Sequence, residues 1–138
     1  MIHATDGIVT AADMAREHVS AIVGPTMYSS TKLETLNLNF KTPGVMAKAG
    51  VKVALTTDHD VVPLSYLPIC AALAVREGMD MYEALKAITI NPAEIAHIDD
   101  RVGSLLPGKD ADLTVFSGHP FELMTRAQAV FVSGRRCL

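Results

Sequence analysis

The chain has 138 residues, 49% of them hydrophobic and 20% charged, with a formal net charge of −3. That is enough apolar material for a packed core, and the slightly acidic balance gives no electrostatic reason to expect a nucleic-acid or anionic-membrane partner. The two cysteines, Cys70 and Cys137, belong to no CxxC or disulfide pattern, which predicts a reduced, cytoplasmic setting. The longest nearly apolar run, Tyr66 to Val75, is too short to span a bilayer and contains Pro68. No basic segment followed by an apolar run opens the chain, so no leader is expected.

Met1 to Ala4 reads as a strand end, with His3 just before the turn residues Thr5, Asp6 and Gly7. Thr10 followed by Asp13 resembles a capping box, which predicts a helix beginning there. Ala11, Met14, Ala15 and His18 fall on one face of that helix. Val19 to Val23 is a second strand candidate, closed by Gly24-Pro25. Thr26 to Thr42 is a long polar stretch holding Ser29, Ser30, Thr31 and Lys32. Loops of that length are often functional; the plainer reading is a surface excursion with a short helical turn. Pro43 to Ala49 then reads as a helix, with Thr42 as N-cap and Gly50 closing it.

The stretch from Val51 to Pro63, VKVALTTDHDVVP, reads as a short buried strand that ends in acid and imidazole. Val51, Val53 and Leu55 alternate with Lys52, Ala54 and Thr56, and β-branched residues dominate. Asp58, His59 and Asp60 follow in succession. Metal-capable and proton-capable groups at the carboxyl end of a buried strand are where a β/α barrel keeps its chemistry. The alternative is a polar loop whose aspartates cap the next helix.

Beyond Pro63, Leu67, Cys70, Ala71 and Ala74 repeat at helical spacing while Ile69, Leu73 and Val75 fill the other faces, which predicts a helix buried all round. Gly78 ends it. Asp80 and Glu83 form a capping pair for a helix whose Met81, Ala84, Leu85 and Ile88 share a face, and Asn91-Pro92 starts another through about Ile98. The alternation of strand and helix is the signature of parallel β/α units with right-handed crossovers. Three strands are too few to close a barrel of eight, so the first ~100 residues read as part of an architecture. After a turn-rich connector at 101–108, Ala111 to Phe116 and Gln128 to Ser133 read as strands, with a last extended piece beyond Gly134. Strands so short and few need a sheet to join.

The tail Gly103 to Leu113, GSLLPGKDADL, resembles the G-x-(I/L)-x-x-G-x-x-A-D-(I/L) segment that leads, in the amidohydrolase superfamily, into a small β-sandwich beside the barrel. Glu83 to Ile98 resembles the helix pair after that family's last barrel strand, MIHATDG its sixth strand and VALTTDHD its eighth. The nearest likeness is to the imidazolonepropionase-like branch, and it covers essentially the whole chain. The resemblance implies an α/β fold: a partial TIM-type (β/α)8 barrel, its last three β/α units, in residues 1–100, plus C-terminal strands of a small β-sandwich in residues 101–138. It implies metal-dependent hydrolysis of a C–N bond in a small-molecule substrate, a non-peptide cyclic amide or a dipeptide-like compound. His3 falls on the sixth-strand metal ligand. Asp58 falls on the eighth-strand aspartate, which binds the metal and handles the proton of the attacking water. Imidazole and carboxylate suit a divalent metal, zinc foremost. His59 is expected in a supporting or substrate-facing role, and Ser30 and Lys32 are expected to reach substrate from the seventh-strand loop. Asp60 reads as a loop carboxylate, and His18, His97 and His119 as surface residues.

One departure bears on function. The family's first-strand His-x-His pair, fourth-strand bridging residue and fifth-strand histidine have no counterpart here, and the five histidines are scattered. The chain reads as the last third of such a protein, with an incomplete ligand set. A strand edge left unpaired drives association, which predicts a homo-oligomer or a complementary barrel half. A non-catalytic oligomerising remnant and one half of a split enzyme are the alternative readings.

Overall fold

Three short parallel strands, β1 (Ile2–His3), β2 (Ala21–Val23) and β3 (Val53–Leu55), form one sheet in the order β1-β2-β3. They are seen in a computed structural model that describes residues 1–29 and 32–138. Ile2 pairs with Ile22 and Ile22 with Ala54; His3 pairs with Val23 and Val23 with Leu55. Helix α1 (Gly7–Arg16) connects β1 to β2, and a single 3-10 turn (Leu33–Thr35) with α2 (Thr42–Lys48) connects β2 to β3. Because the strands are parallel, all three carboxyl ends emerge on one side of the sheet. After β3 come a 3-10 turn (Leu64–Tyr66), α3 (Leu67–Arg76), α4 (Met81–Ala87) and α5 (Ile90–Ile95).

The core lies between sheet and helices. Ala21, Val23, Val53 and Leu55 from the strands meet Ala11 and Met14 of α1, Met46 of α2, Ala71 and Ala74 of α3, and Ala84 and Ala87 of α4. Alanine on the helices lets their backbones approach the strands closely, and Met46, with no exposed surface, fills the remaining space.

Several elements differ from the expectation, each for a local reason. Helix α1 begins at Gly7, not Thr10. The Thr10 hydroxyl donates back to the carbonyl of Asp6 at 3.3 Å, so the apparent capping box is a mid-helix hydroxyl bonded one turn back. His18 lies beyond the end of α1 with φ +53 and leaves the helix face assigned to it. Helix α2 includes Thr42, with Lys41 before it as the cap residue. Helix α3 is not buried all round: Cys70, Ala71 and Ala74 are buried and its other apolar faces are only half covered. Helix α5 starts at Ile90 and stops at Ile95, short of Ile98. At α4 the expected cap is present, since the Asp80 carboxylate accepts from the N–H groups of Tyr82 and Glu83 at 2.9 and 3.0 Å.

The last three strands, β4 (Leu113–Phe116), β5 (Ala127–Val132) and β6 (Arg135–Arg136), pair antiparallel in the order β4-β5-β6. They form their own small sheet, in which Val115, Phe116 and Val132 stay exposed. The connector before it is closed by an Arg101–Asp110 ion pair at 2.6 Å and by the Lys109 ammonium, which donates to the carbonyl oxygens of Asp99 and Val102. Gly103, at φ +86, packs so tightly on α5 that a Cβ there would lie 2.7 Å from the Ala93 Cβ. His119 is half-buried, not at the surface as expected, with its ring edge-to-face on Phe121 at 4.9 Å. Among the described residues no helix is long and apolar enough to cross a membrane.

The two edges of the parallel sheet are treated differently. Among the described residues β1 has β2 as its one strand neighbour, so its outer edge is open, and Ile2 is 60% exposed. The edge of β3 is covered by α5, whose buried Asn91 donates from Nδ2 to the carbonyl of Val53 at 2.8 Å. Removing that donor leaves a buried strand carbonyl unpaired. Asn91→Ala is expected to lower stability by about 1–3 kcal/mol, read as a shift of the urea midpoint at unchanged slope; an unchanged midpoint would show that water replaces the amide.

Candidate active site at the strand ends

A cleft of 350 Å³ opens at the carboxyl ends of the parallel strands. Each strand contributes where its pairing stops. β1 supplies His3 and then Thr5, β2 runs into Gly24 and Pro25, and β3 runs into the turn that carries Asp58 and Val61. The opposite wall is the β2–α2 connection, through Tyr28, Lys32, Thr35 and Leu38. His3 and Asp58, some fifty residues apart in sequence, therefore face one cavity.

His3 is oriented by a backbone group. Its Nδ1 lies 2.9 Å from the carbonyl oxygen of Gly24. A carbonyl can only accept, so Nδ1 carries the proton and Nε2 of the neutral ring keeps its lone pair. This is the arrangement found in metal-ligating histidines, whose other ring N–H is fixed by a carbonyl or carboxylate. The backbone at His3 is left-handed, with φ +67, a conformation uncommon outside glycine that clusters at functional sites.

The turn after β3 explains why Asp58 is presented and its neighbours are not. Thr57 and Val62 are buried and joined by a 3.2 Å hydrogen bond from the Val62 N–H to the Thr57 carbonyl. The residues between them are lifted into solvent. Asp58 sits at φ +50, its N–H donates to the Thr56 hydroxyl at 3.1 Å and its carbonyl accepts from the Val61 N–H at 2.7 Å. Its carboxylate takes part in none of these bonds. His59 and Asp60 are exposed on the same turn and do not line the cleft. Lys32 does line it, and Ser30 lies outside the described residues.

Sequence reading passed over Gly24 as the mere end of a strand. The structure gives it two tasks. Its carbonyl holds His3, and its Cα abuts β3 so closely that a Cβ would lie 2.1 Å from the Thr56 carbonyl oxygen, at a φ of +134. Tyr28, Thr35 and Leu38 were also missed, because a loop without periodicity gives no sign of which side chains turn inward. Thr26, at the base of that loop, is buried. Burial pushes the Cys70 thiol above its ordinary range, and Thr26 beside it opposes the shift.

His3 and Asp58 fit a divalent metal in kind, an imidazole with a free Nε2 and a carboxylate. In number they fall short: among the described residues no three His, Cys, Asp or Glu side chains gather closely enough to hold an ion.

Residues 34–137 match the amidohydrolase family. The chain belongs to it. An imidazolonepropionase of Sphingopyxis alaskensis is 30% identical over 131 residues, which cover 90% of this chain and 30% of that protein. An amidohydrolase of Thermotoga maritima MSB8 superposes with a TM-score of 0.95 at 39% identity, over 99% of this chain and 36% of that one. A zinc-bound adenosine deaminase of Xanthomonas campestris shares the fold at TM-score 0.67 and 21% identity, over 99% of this chain and 36% of that one. The amidohydrolase chain described here thus spans about a third of the length of these relatives. The family match agrees with the resemblance read from the tail and the strand ends, and these structural relatives place the fold with TIM-barrel-type proteins.

Gly24→Ala tests the geometry directly. The added Cβ meets a backbone oxygen that no side-chain rotation can move, at a positive φ that alanine disfavours. The expected outcome is a loss of at least about 2 kcal/mol in urea denaturation, together with changed ring chemical shifts at His3. A variant of wild-type stability and spectrum would show that the strand ends are looser than drawn.

Proposed function

We propose that this chain forms part of a metal-dependent amidohydrolase that hydrolyses a C–N bond in a small molecule, a cyclic amide or a dipeptide-like compound. In this reading residues 1–100 are the last three β/α units of a (β/α)8 barrel and residues 101–138 are strands of a companion β-sandwich. Support comes from the three parallel strands with helical crossovers and from the near-complete superposition on about a third of the Thermotoga maritima amidohydrolase. The observation that carries the proposal is the pairing of His3, its Nδ1 held by the Gly24 carbonyl, with Asp58 on one cleft at the strand ends.

In this reading His3 Nε2 and Asp58 are metal ligands, and the remaining ligands come from beyond this chain's own donors. Zinc is the first candidate, in keeping with the zinc of the Xanthomonas campestris adenosine deaminase. A divalent metal held there would supply a water of lowered pKa. Asp58 would be the group that takes the proton of that water and returns it to the leaving nitrogen. The Gly24 carbonyl keeps the His3 ring in place and in the right tautomer. Lys32, on the opposite wall, contacts the substrate away from the reacting bond; Ser30 on the same loop and His59 beside Asp58 have supporting roles.

The test is metal content per chain after zinc loading and dialysis, for wild type, His3→Ala and Asp58→Ala. Each variant is expected to bind at least about tenfold more weakly than wild type. Negligible metal in all three overturns the assignment of a metal site to these residues in this chain. The open edge of β1 further supports association as a homo-oligomer or with a complementary barrel half. Size-exclusion chromatography with light scattering is expected to show oligomers of the isolated chain, and a stable monomer at high concentration counts against it.

A further inference from the structure

Thr56 does not line the cleft, yet it touches both halves of the site. It is the first residue past β3. Val53, Ala54 and Leu55 before it are buried, Thr57 after it is buried, and Thr56 itself is half-buried. Its backbone is committed to β2: the Thr56 N–H donates to the Val23 carbonyl at 3.0 Å, and the Thr56 carbonyl lies against the Cα of Gly24. Its side chain reaches forward. The hydroxyl oxygen accepts from the Asp58 N–H at 3.1 Å, the short loop that serine and threonine make with the amide two residues on.

We propose that Thr56 is a positioning residue, its hydroxyl holding the Asp58 backbone left-handed so that the carboxylate faces the cleft. Asp58 is held on both sides of its Cα, by Thr56 at its N–H and by the Val61 N–H at its carbonyl, the latter at 2.7 Å. The two bonds ask different things of the sequence. The bond from Val61 joins two backbone groups, and any residue but proline at 61 can supply its N–H. The bond to Thr56 needs a hydroxyl, and among the described residues it is the one side-chain hydrogen bond made to Asp58. Asp58 needs such support because φ +50 is a position that residues other than glycine keep only when their surroundings impose it. Shape does not account for threonine at 56, since valine has the same branching and suits a strand end as well. The hydroxyl is the difference. Without it the Asp58 N–H turns to water, the backbone is free to leave the left-handed region, and the carboxylate moves with it. The consequence for metal binding rests on the reading of Asp58 as a ligand; the geometry of the turn does not.

Thr56→Val removes the hydroxyl and keeps the branched shape, and Thr56→Ser keeps the hydroxyl. Exchange of the Asp58 amide proton with water, read by NMR, and zinc affinity are measured for wild type and both variants. Thr56→Val is expected to exchange the Asp58 amide about fivefold faster, with the amides of β2 and β3 unchanged. Its zinc affinity is expected to fall about tenfold, the scale on which a ligand's supporting partner acts. Thr56→Ser is expected to return both to the wild-type values. An Asp58 amide that exchanges in Thr56→Val as in wild type overturns the proposal. So does failure of serine to restore it, and so does an equal acceleration in β2 and β3, which would mark a merely structural role. Zinc affinity unchanged in Thr56→Val, where wild type binds zinc, overturns it as well. A wild type that takes up no zinc overturns instead the assignment of His3 and Asp58 as ligands, and the Asp58 amide then decides on Thr56 by itself.

Discussion

The contact between Gly24 and its two neighbours is the constraint on which the site rests. β2 is the central strand, and where it ends Gly24 presents its carbonyl to His3 at the end of β1 and its bare Cα to Thr56 at the end of β3. One residue without a side chain thereby fixes the spacing of all three strand ends. Any Cβ would force β2 away from β3. Any other direction of the carbonyl would free the His3 ring and its tautomer. The pairing registers carry this local fit down the strands, where Val23 and Leu55 enter the core beside Met46.

The chemistry of the cleft follows from that spacing together with a second device, the turn after β3. Buried Thr57 and Val62 act as its feet and leave Asp58 at a left-handed backbone position above them. Strain of this kind costs of the order of 1–3 kcal/mol where it is imposed, and it is borne here by the packing beneath. His3 also holds a left-handed backbone, at φ +67, at the end of the exposed edge strand β1. Both residues proposed as ligands thus hold uncommon backbone conformations, and the opposite wall of the cleft is a loop, a common division of labour between scaffold and loop.

The two sheets meet different ends. In the parallel sheet one edge, β3, is sealed by the Asn91 amide, and the other, β1, is open. The antiparallel sheet leaves apolar side chains such as Phe116 and Val132 exposed. Both features agree with a chain that spans about a third of its relatives' length, and the open edge is where the proposed association would act.

The residues alone determined the order of strands and helices, the cap at Asp80, and, through the tail and the strand-end wording, the family. These are local properties: alternation, capping chemistry and short motifs are written in neighbouring residues. Boundaries were less legible. Thr10 has the chemistry of a cap wherever it stands, and only the hydrogen bond to the Asp6 carbonyl shows it to be inside a helix. Asp58 and His3 could be named from the sequence, but only the family resemblance told Asp58 from His59 and Asp60, since all three are polar and adjacent. The tertiary structure separates them, because the turn anchored by Thr57 and Val62 puts one on the cleft and the others outside it. Gly24 and Leu38 were invisible for the same reason. Their roles lie between segments about twenty to thirty residues apart, and only the folding of parallel strands side by side brings those segments together.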